Sequence, residues 1–304
     1  MVEIVRNLLW TGDTRLLRSI NLTYYLTGTL PRYPFYLIRN TMHTLRYLLA
    51  SIALLAGVVA AEAQKPGQLP DKTITLGFCP TDITASRGFE VVLRPGTENK
   101  VDLYVYNLDK VKCATDASER SLRFSWKPSL GTIIDDHHTR LAVVTLTDLN
   151  SLTALKVETG AKLHIDKSYR PTKISRLKLR SYSGGELLFT GDAQEVIAIA
   201  AYEGELYLSG KQRTLQLVST FDGLIDYSGS FHFADMDADR GGGIILSGTG
   251  DTVNITAYLY GEVISDELTV KGGTINADCG ITIRCTDRRN ITCDGGGDIE
   301  ILTK

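Results

Sequence analysis

The 304-residue sequence lacks the pattern of a helical protein and the short motifs of several common enzymes. No apolar stripe repeats every 3.6 residues, and the short alternating runs between the glycines of the second half leave no room for helices of ten or more residues. There is also no Gly-x-Ser-x-Gly, Walker phosphate loop or HExxH sequence. We therefore predict a protein that is neither helical nor an enzyme and that needs no cofactor.

The sequence has no block of Lys and Arg either, and its formal net charge is −2. Binding to a phosphate backbone needs a basic footprint, so nucleic acid is not an expected partner. The five cysteines lack the close Cys-x-x-Cys pairs that zinc prefers; they are Cys79, Cys113, Cys279, Cys285 and Cys293. We expect no zinc site, and either buried free thiols or one disulfide with at least one cysteine unpaired.

The uncharged run at residues 47–61 is 15 residues long, shorter than the ~20 that span a bilayer. It follows a basic start at residues 42–46 and ends in Ala61-Glu62-Ala63, with no cysteine after it for a lipid anchor. This pattern predicts a signal peptide at residues 42–63, cleaved between Ala63 and Gln64. The protein would then be exported to the periplasm, the outer-membrane surface or the medium, and would not be an integral membrane protein.

Residues 1–41 precede this signal and carry five arginines against Glu3 and Asp13. We interpret them as a mis-called leader, with Met42 as the true start. Removing residues 1–63 leaves 27 Lys and Arg against 32 Asp and Glu, a net charge of −5. The remaining chain divides into an irregular β lead-in or cap at residues 64–150 and a repeat region at residues 151–304.

The repeat region contains six glycines on one 19-residue lattice: Gly185, Gly204, Gly223, Gly242, Gly261 and Gly280. Two places after each glycine stand Leu187, Leu206, Ile225, Ile244, Val263 and Thr282, the last flanked by Ile281 and Ile283. Further alternating runs, such as Leu215-Gln-Leu217, lie between them. Period-two alternation is typical of strands, so each repeat is predicted to be strand, turn, strand, turn.

A repeat this short buries its apolar face only by stacking on its neighbours. The pattern therefore predicts an all-β parallel β-helix, or β-solenoid, with coils of about 19 residues and glycine at the corners, where tight bends need positive φ. An antiparallel sandwich is the alternative, although it gives no reason for a constant spacing.

The lattice is weaker outside these repeats. Residues 155–165 form a plausible earlier coil, offset by an insertion near residues 168–173 that contains Pro171. Residues 88–96 and 98–107 are predicted to form a hairpin, with Pro-Gly-Thr at its turn. At residues 231–242, three aspartates interrupt the expected alternation, and the polar, glycine-rich C-terminal segment is expected to close the stack.

The order of these elements resembles the bacterial auto-transporter adhesin head GIN domain family over residues 75–303. The resemblance rests on DITASRGFEVVLRPGTENKVDLYV, then LAVVTLTDLNSLTALKVETGAKLHI, then repeated L-x-L and G-x-L-x-x-(S/T)-G patterns. It implies a secreted or cell-surface protein with a right-handed parallel β-helix and an adhesive role. It brings no catalytic residue that can be placed in this sequence.

Two polar clusters are candidate metal sites. Asp235, Asp237 and Asp239 would share one face of an extended segment and offer oxygen ligands to calcium, but the EF-hand pattern is not met. A solvated acidic loop is the alternative. Residues 135–138, Asp-Asp-His-His, are expected to form a polar turn, since neighbours in a strand point to opposite sides.

Two further sets of residues share lattice positions. Glu186 and Glu205 should stack on adjacent coils as an acid–base pair of a carbohydrate-active enzyme or as two solvated carboxylates; no basic residue is evident nearby. Tyr202 and Phe221 share one position, and Tyr182 and Tyr258 another. Such aromatics would either contact sugar rings or stabilise the coils by stacking.

We predict an exported, non-catalytic binding module, adhesin-like, that contacts a surface glycan or protein along its faces. The alternatives are a polysaccharide lyase or hydrolase on the same fold, and a structural envelope protein that self-assembles as a homo-oligomer.

Overall fold

The computed structural model describes residues 69–127, 140–278, 281–297 and 299–303. These residues are almost entirely strand, with 3-10 segments at Leu108–Lys110, Leu149–Ser151 and Arg288–Asn290. The early strands are β1 (Lys72–Thr75), β2 (Asp82–Ser86), β3 (Glu90–Pro95), β4 (Lys100–Val105), β5 (Val111–Asp116), β6 (Ser121–Trp126), β7 (Arg140–Leu146), β8 (Ala154–Glu158) and β9 (Lys162–Ile165). The later ones are β10 (Ile174–Tyr182), β11 (Glu186–Thr190), β12 (Ala193–Ala201), β13 (Glu205–Thr220), β14 (Leu224–Asp239), β15 (Gly243–Tyr258), β16 (Glu262–Ala277), β17 (Ile281–Cys285), β18 (Ile291–Asp294) and β19 (Ile299–Thr303).

Strands β10 to β16 form stacked parallel coils, which confirms the predicted solenoid and its 19-residue period. Glu186 pairs with Glu205, Glu205 with Leu224, and Leu224 with Gly243. The offset changes only past a bulge between β15 and β16, where Ser247 pairs with Glu267. Near the C-terminus, Ile281 of β17 pairs with Ile299 of β19, so the last coil is one residue shorter.

The coil formed by β8 and β9 precedes this series, as predicted for residues 155–165. Lys162 of β9 pairs with Glu186, and Ala154 of β8 pairs with Lys178 of β10. The sequence distance between these paired residues is larger than 19, and the loop at residues 166–173, where an insertion is expected, contains the extra residues.

The first coils do not follow the order of the chain. Strands β2 and β3 lie between two other coils, because β2 pairs in parallel with both β6 and β8, and β3 with both β7 and β9. The predicted hairpin of residues 88–107 is therefore wrong. Both edges of β3 are occupied, and β4 pairs antiparallel with β1 and β7 instead.

Aliphatic ladders fill the inside of the coils in both regions. The residues two places after the lattice glycines, namely Leu187, Leu206, Ile225, Ile244 and Val263, are all buried. They belong to one continuous core cluster that runs from Leu76 to Ile291. The lead-in strands thus share the core of the repeats. In β14 the alternation also continues, because Ala234, Met236 and Ala238 point inward between the aspartates, so the predicted interruption is wrong.

The lattice glycines are needed for a different reason from the one predicted. Gly204 and Gly242 each close a two-residue turn by donating a backbone hydrogen bond to the residue three places earlier. The positive φ angles lie on the two residues before the glycine, for example 54° at Tyr202 and 64° at Glu203. This is the geometry of a type I′ turn. A Cβ on Gly242 would lie 2.1 Å from the carbonyl oxygen of Ser219 in the neighbouring coil. The glycine is therefore required by close backbone approach.

Candidate binding surfaces

The turns stack into a column that we call the turn edge. Backbone hydrogen bonds join successive turns, as from Gly184 to the carbonyl oxygen of Tyr202 and from Glu203 to that of Phe221. The first positions of these turns are Thr159, Ser183, Tyr202, Phe221, Arg240 and Leu259, all with positive φ. Side chains at these positions therefore stand above one another along one edge of the solenoid.

The turn edge brings Tyr202 and Phe221 together, as their shared lattice position predicts. Their ring centroids are 4.8 Å apart and the ring planes differ by 6°. The Arg240 guanidinium carbon lies 4.9 Å from the Phe221 centroid. Phe221 thus lies between Tyr202 and Arg240, whereas Tyr202 has the smaller Ser183 turn on its other side and is 56% exposed.

Tyr182 and Tyr258 also share one column, but the structure keeps them apart. Ala201, Thr220 and Asp239 stand between them on the intervening coils. The Lys156 ammonium lies 5.6 Å from the Tyr182 ring centroid. This pair therefore forms no aromatic ladder.

Glu186 and Glu205 lie side by side on adjacent coils, as predicted, but both are partnered. The Lys162 ammonium is 2.5 Å from Glu186 Oε2, and the Tyr207 hydroxyl donates to Glu205 Oε2 at 2.8 Å. The expectation that no basic residue is nearby is wrong, because Lys162 arrives from the preceding coil across the 166–173 insertion. Beside Lys162, burial raises the pKa of Glu90, with Lys162 opposing and Glu186 adding to the shift.

Asp235, Asp237 and Asp239 share the outer face of β14, as predicted, and we call them the acidic row. Partial burial, followed by repulsion from Asp239 and Asp235, raises the pKa of Asp237. Asp239 lies 3.6 Å from Arg240. Among the described residues, no group of three or more His, Cys, Asp or Glu side chains has a metal-binding arrangement.

Several predicted features lie outside the described residues. They are the leader and signal peptide, the cleavage site at Ala63 and Gln64, residues 135–138, Cys279 and Gly280. The other four cysteines are unpaired, and burial raises the pKa of the Cys113 thiol to about 11. In the described ranges, no helix has the length and apolarity of a membrane span.

One charged surface is absent from the sequence predictions. An open groove of about 470 Å³ lies on the outer face of β2, β8 and β10, and the hairpin of β5 and β6 forms one wall. Two acids, Asp82 and Glu158, line it together with five cations: Lys112, Arg123, Lys156, Lys178 and Arg180. We call it the basic groove. The cations come from four separate strands, so no basic block marks it in the sequence.

The stacked parallel coils define the fold as a parallel β-solenoid, and these surfaces lie on its outside. A family model described as "Putative auto-transporter adhesin, head GIN domain" matches residues 80–230, and over this range the chain belongs to that family. No curated protein matches the chain.

Solved bacterial structures are also similar to the chain. A "putative adhesin" from Parabacteroides merdae is 15% identical, with a TM-score of 0.52 covering 78% of this chain and 97% of that one. A "putative lipid binding protein" from Parabacteroides distasonis is 13% identical, with a TM-score of 0.46 over 78% and 98% of the two chains. A "putative adhesin" from Bacteroides fragilis is 15% identical, with a TM-score of 0.44 over 78% and 100%. The Parabacteroides merdae match shows a shared fold.

Proposed function

We propose that the chain is an exported, adhesin-like binding module that contacts a glycan through the turn edge at Tyr202 and Phe221. The family match supports an adhesin-like binding role. The observation that carries the glycan contact is the parallel aromatic pair at the turn edge, in which Tyr202 is exposed. A flat aromatic face of this kind accepts the apolar C–H face of a sugar ring.

The backbone gives a second reason to assign these aromatics a role. Positive φ is rare and unfavourable for bulky residues, and such strain concentrates at functional sites. The neighbouring turns show less strained solutions, Ser183-Gly184 on one side and Arg240-Gly241 on the other. The fold therefore tolerates small residues at the turn edge and does not require Tyr202 or Phe221 there.

A glycan array with the purified chain and its Tyr202→Ser and Phe221→Ser variants tests the proposal. Serine is the residue that this fold already places at position 183, so the variants should fold. We expect Tyr202→Ser to abolish the glycan signal, whereas Tyr260→Ser, which removes another exposed aromatic from the turn edge, should leave it unchanged. A lower melting temperature with unchanged binding would assign the pair to stabilisation of the coils.

The predicted export is tested separately, since the signal peptide lies outside the described residues. Antibody labelling of intact cells should detect the protein at the surface, and mass spectrometry should give an N-terminus at Gln64. A mature N-terminus well upstream of Gln64 would contradict the predicted signal peptide.

The adjacency of Glu186 and Glu205 favours a second candidate, a polysaccharide lyase or hydrolase. Two neighbouring carboxylates with a lysine and a tyrosine hydroxyl in contact could transfer protons to and from a bound sugar. This candidate would be supported if the wild type releases unsaturated or reducing sugar ends from a polysaccharide and Glu205→Gln does not. Glycan binding without turnover would favour the binding module.

A further inference from the structure

We infer that the basic groove is a second binding site and that its ligand is an acidic polysaccharide. Five cations face two acids across a surface depression, in a chain whose overall charge is negative. A cleft lined mainly by one sign of charge concentrates the field and attracts ligands of the opposite sign.

The cations of the groove are incompletely neutralised. Lys156 pairs with Glu158 at 2.5 Å, and Arg123 lies 3.7 Å from the exposed Glu119. Within the described parts of the chain, Lys112, Lys178 and Arg180 form no salt bridge. Three exposed cations are therefore free to bind anionic groups.

The coil geometry also places three of the five cations of the groove in one line, which favours a polymer. Arg123, Thr84, Lys156 and Arg180 stand in one row across four adjacent strands. Successive positions are about 4.8 Å apart, the spacing of strands in a sheet. This repeat is comparable to the length of one sugar residue, so an extended acidic polysaccharide crossing the strands would present its charges to several cations in turn.

A second groove on the same protein provides the contrast. It is larger, about 1000 Å³, and Lys211, Arg213, His232 and Lys271 line it with Asp192 and Asp251. Here the acids are in contact with cations: Arg170 with Asp192 and Lys271 with Asp251, each at 2.6 Å. His232 Nδ1 also lies 2.6 Å from Asp251. Lys211 and Arg213 of this groove form no salt bridge within the described residues, so the grooves differ in number: three such cations line the basic groove and two line this one.

The inference rests on the proposed function only in taking a polysaccharide as the partner. The groove contains neither Tyr202 nor Phe221, so the two sites can fail independently. A glycan that binds the turn edge should no longer bind Tyr202→Ser but should still bind a variant of the basic groove. An acidic polysaccharide that binds the basic groove should show the reverse.

Titration calorimetry with polygalacturonate, dextran sulfate and neutral dextran tests the site in the purified full chain. We expect both acidic polymers to bind, dextran not to bind, and binding to weaken as salt is added. The double variant K178Q/R180Q should lower the affinity about tenfold or more, since it removes two charge contacts. The matched control K211Q/R213Q, which removes two exposed cations beside the second groove, should bind like the wild type.

Several outcomes would overturn the inference. They are no binding to either acidic polymer, equal binding of dextran, or equal loss in K178Q/R180Q and K211Q/R213Q with unchanged circular dichroism. A further contradicting outcome is a dimer in sedimentation of the wild type that is absent in both K178Q/R180Q and D235N/D237N. That result would make the acidic row of a second copy the occupant of the groove.

Discussion

The later coils and the first coils are held by the same ladders but are assembled differently. From β12 to β15 each paired residue lies beside the one 19 positions further along, so residues that are neighbours in space are a fixed distance apart in the sequence. In the first coils, Asp82 lies beside both Ser121 and Ala154. The comparison shows that one core can be built by a repeating sequence or by a chain that returns to an earlier coil.

The largest expected effect concerns the close approach of backbones in the regular coils. Gly242→Ala should prevent folding or cost at least about 4 kcal/mol, because its Cβ would overlap the Ser219 carbonyl oxygen. Gly243→Ala is the control, since a Cβ there would lie 3.4 Å from the Leu224 side chain and 3.9 Å from the Gly223 carbonyl oxygen, without overlap. Urea unfolding of both variants checks this, and equal stabilities would contradict the proposed role of the lattice glycines.

The second prediction compares the two regions directly. Leu155 and Leu217 occupy the same interior column, one in an early coil and one in a regular coil, and both are fully buried. Each change to alanine should cost about 2–5 kcal/mol through lost burial and a cavity. If the shared core unfolds as one unit, the free energy of unfolding should also depend on denaturant concentration with the same slope in both variants. A biphasic transition in only one variant would mean that the two regions unfold separately.

A smaller effect is expected at the turn edge. Gly184 has a φ of 70° and space around its Cα, so Gly184→Ala should cost about 1 kcal/mol from the left-handed backbone alone. Glu203 has nearly the same φ, and Glu203→Gly should raise stability by up to about 1 kcal/mol. Thermal melts of the two variants should move in opposite directions. Movement in the same direction would contradict the turn assignment.

The smallest expected effect lies in the acidic row, which is on β14, separated from β10 of the basic groove by β12 and β13. The pKa of Asp237 is raised in the folded protein, so its ionisation lowers stability as pH rises above the ordinary value of 3.8. Asp237→Asn should therefore melt higher than the wild type at neutral pH, and the difference should vanish at pH values below 3.8.

The same melts test the calcium hypothesis for the acidic row. A wild-type melting temperature that rises with calcium and falls with chelator, together with a destabilised Asp237→Asn at neutral pH, would show that the three aspartates hold a cation. Identical curves with calcium and with chelator would count against such a site.

The sequence predicts the later coils well because each contact there repeats at a constant spacing. Gly204 and Gly223 mark the period, and Leu206 and Ile225 mark the inward face. The reason for the glycines was not predictable, since it depends on a carbonyl group in the adjacent coil. The hairpin prediction failed because Pro95-Gly96 looks like a local turn, whereas β7 inserts beside β3 from much later in the chain.

The candidate surfaces divide in the same way. The Tyr202–Phe221 pair lies within the 19-residue period and could be predicted from spacing alone. The basic groove could not, because Arg123 and Lys156 become neighbours of Thr84 only after the chain returns to the β2 coil. Alternating lysines and arginines in β10 were a visible signal, but they did not identify their partners.

Distances between spin labels test the stacking order most directly. Val92, His164, Leu188, Tyr207, Asp226, Ile245 and Ile264 form one outer column across both regions. In a cysteine-free background, labels at 264 paired with 188, 164 and 92 should be separated by about 19, 24 and 29 Å, equal steps of one strand spacing. A 92–264 distance shorter than the 188–264 distance, or unequal steps, would contradict the stack in which the β2–β3 coil lies beyond β8 and β9.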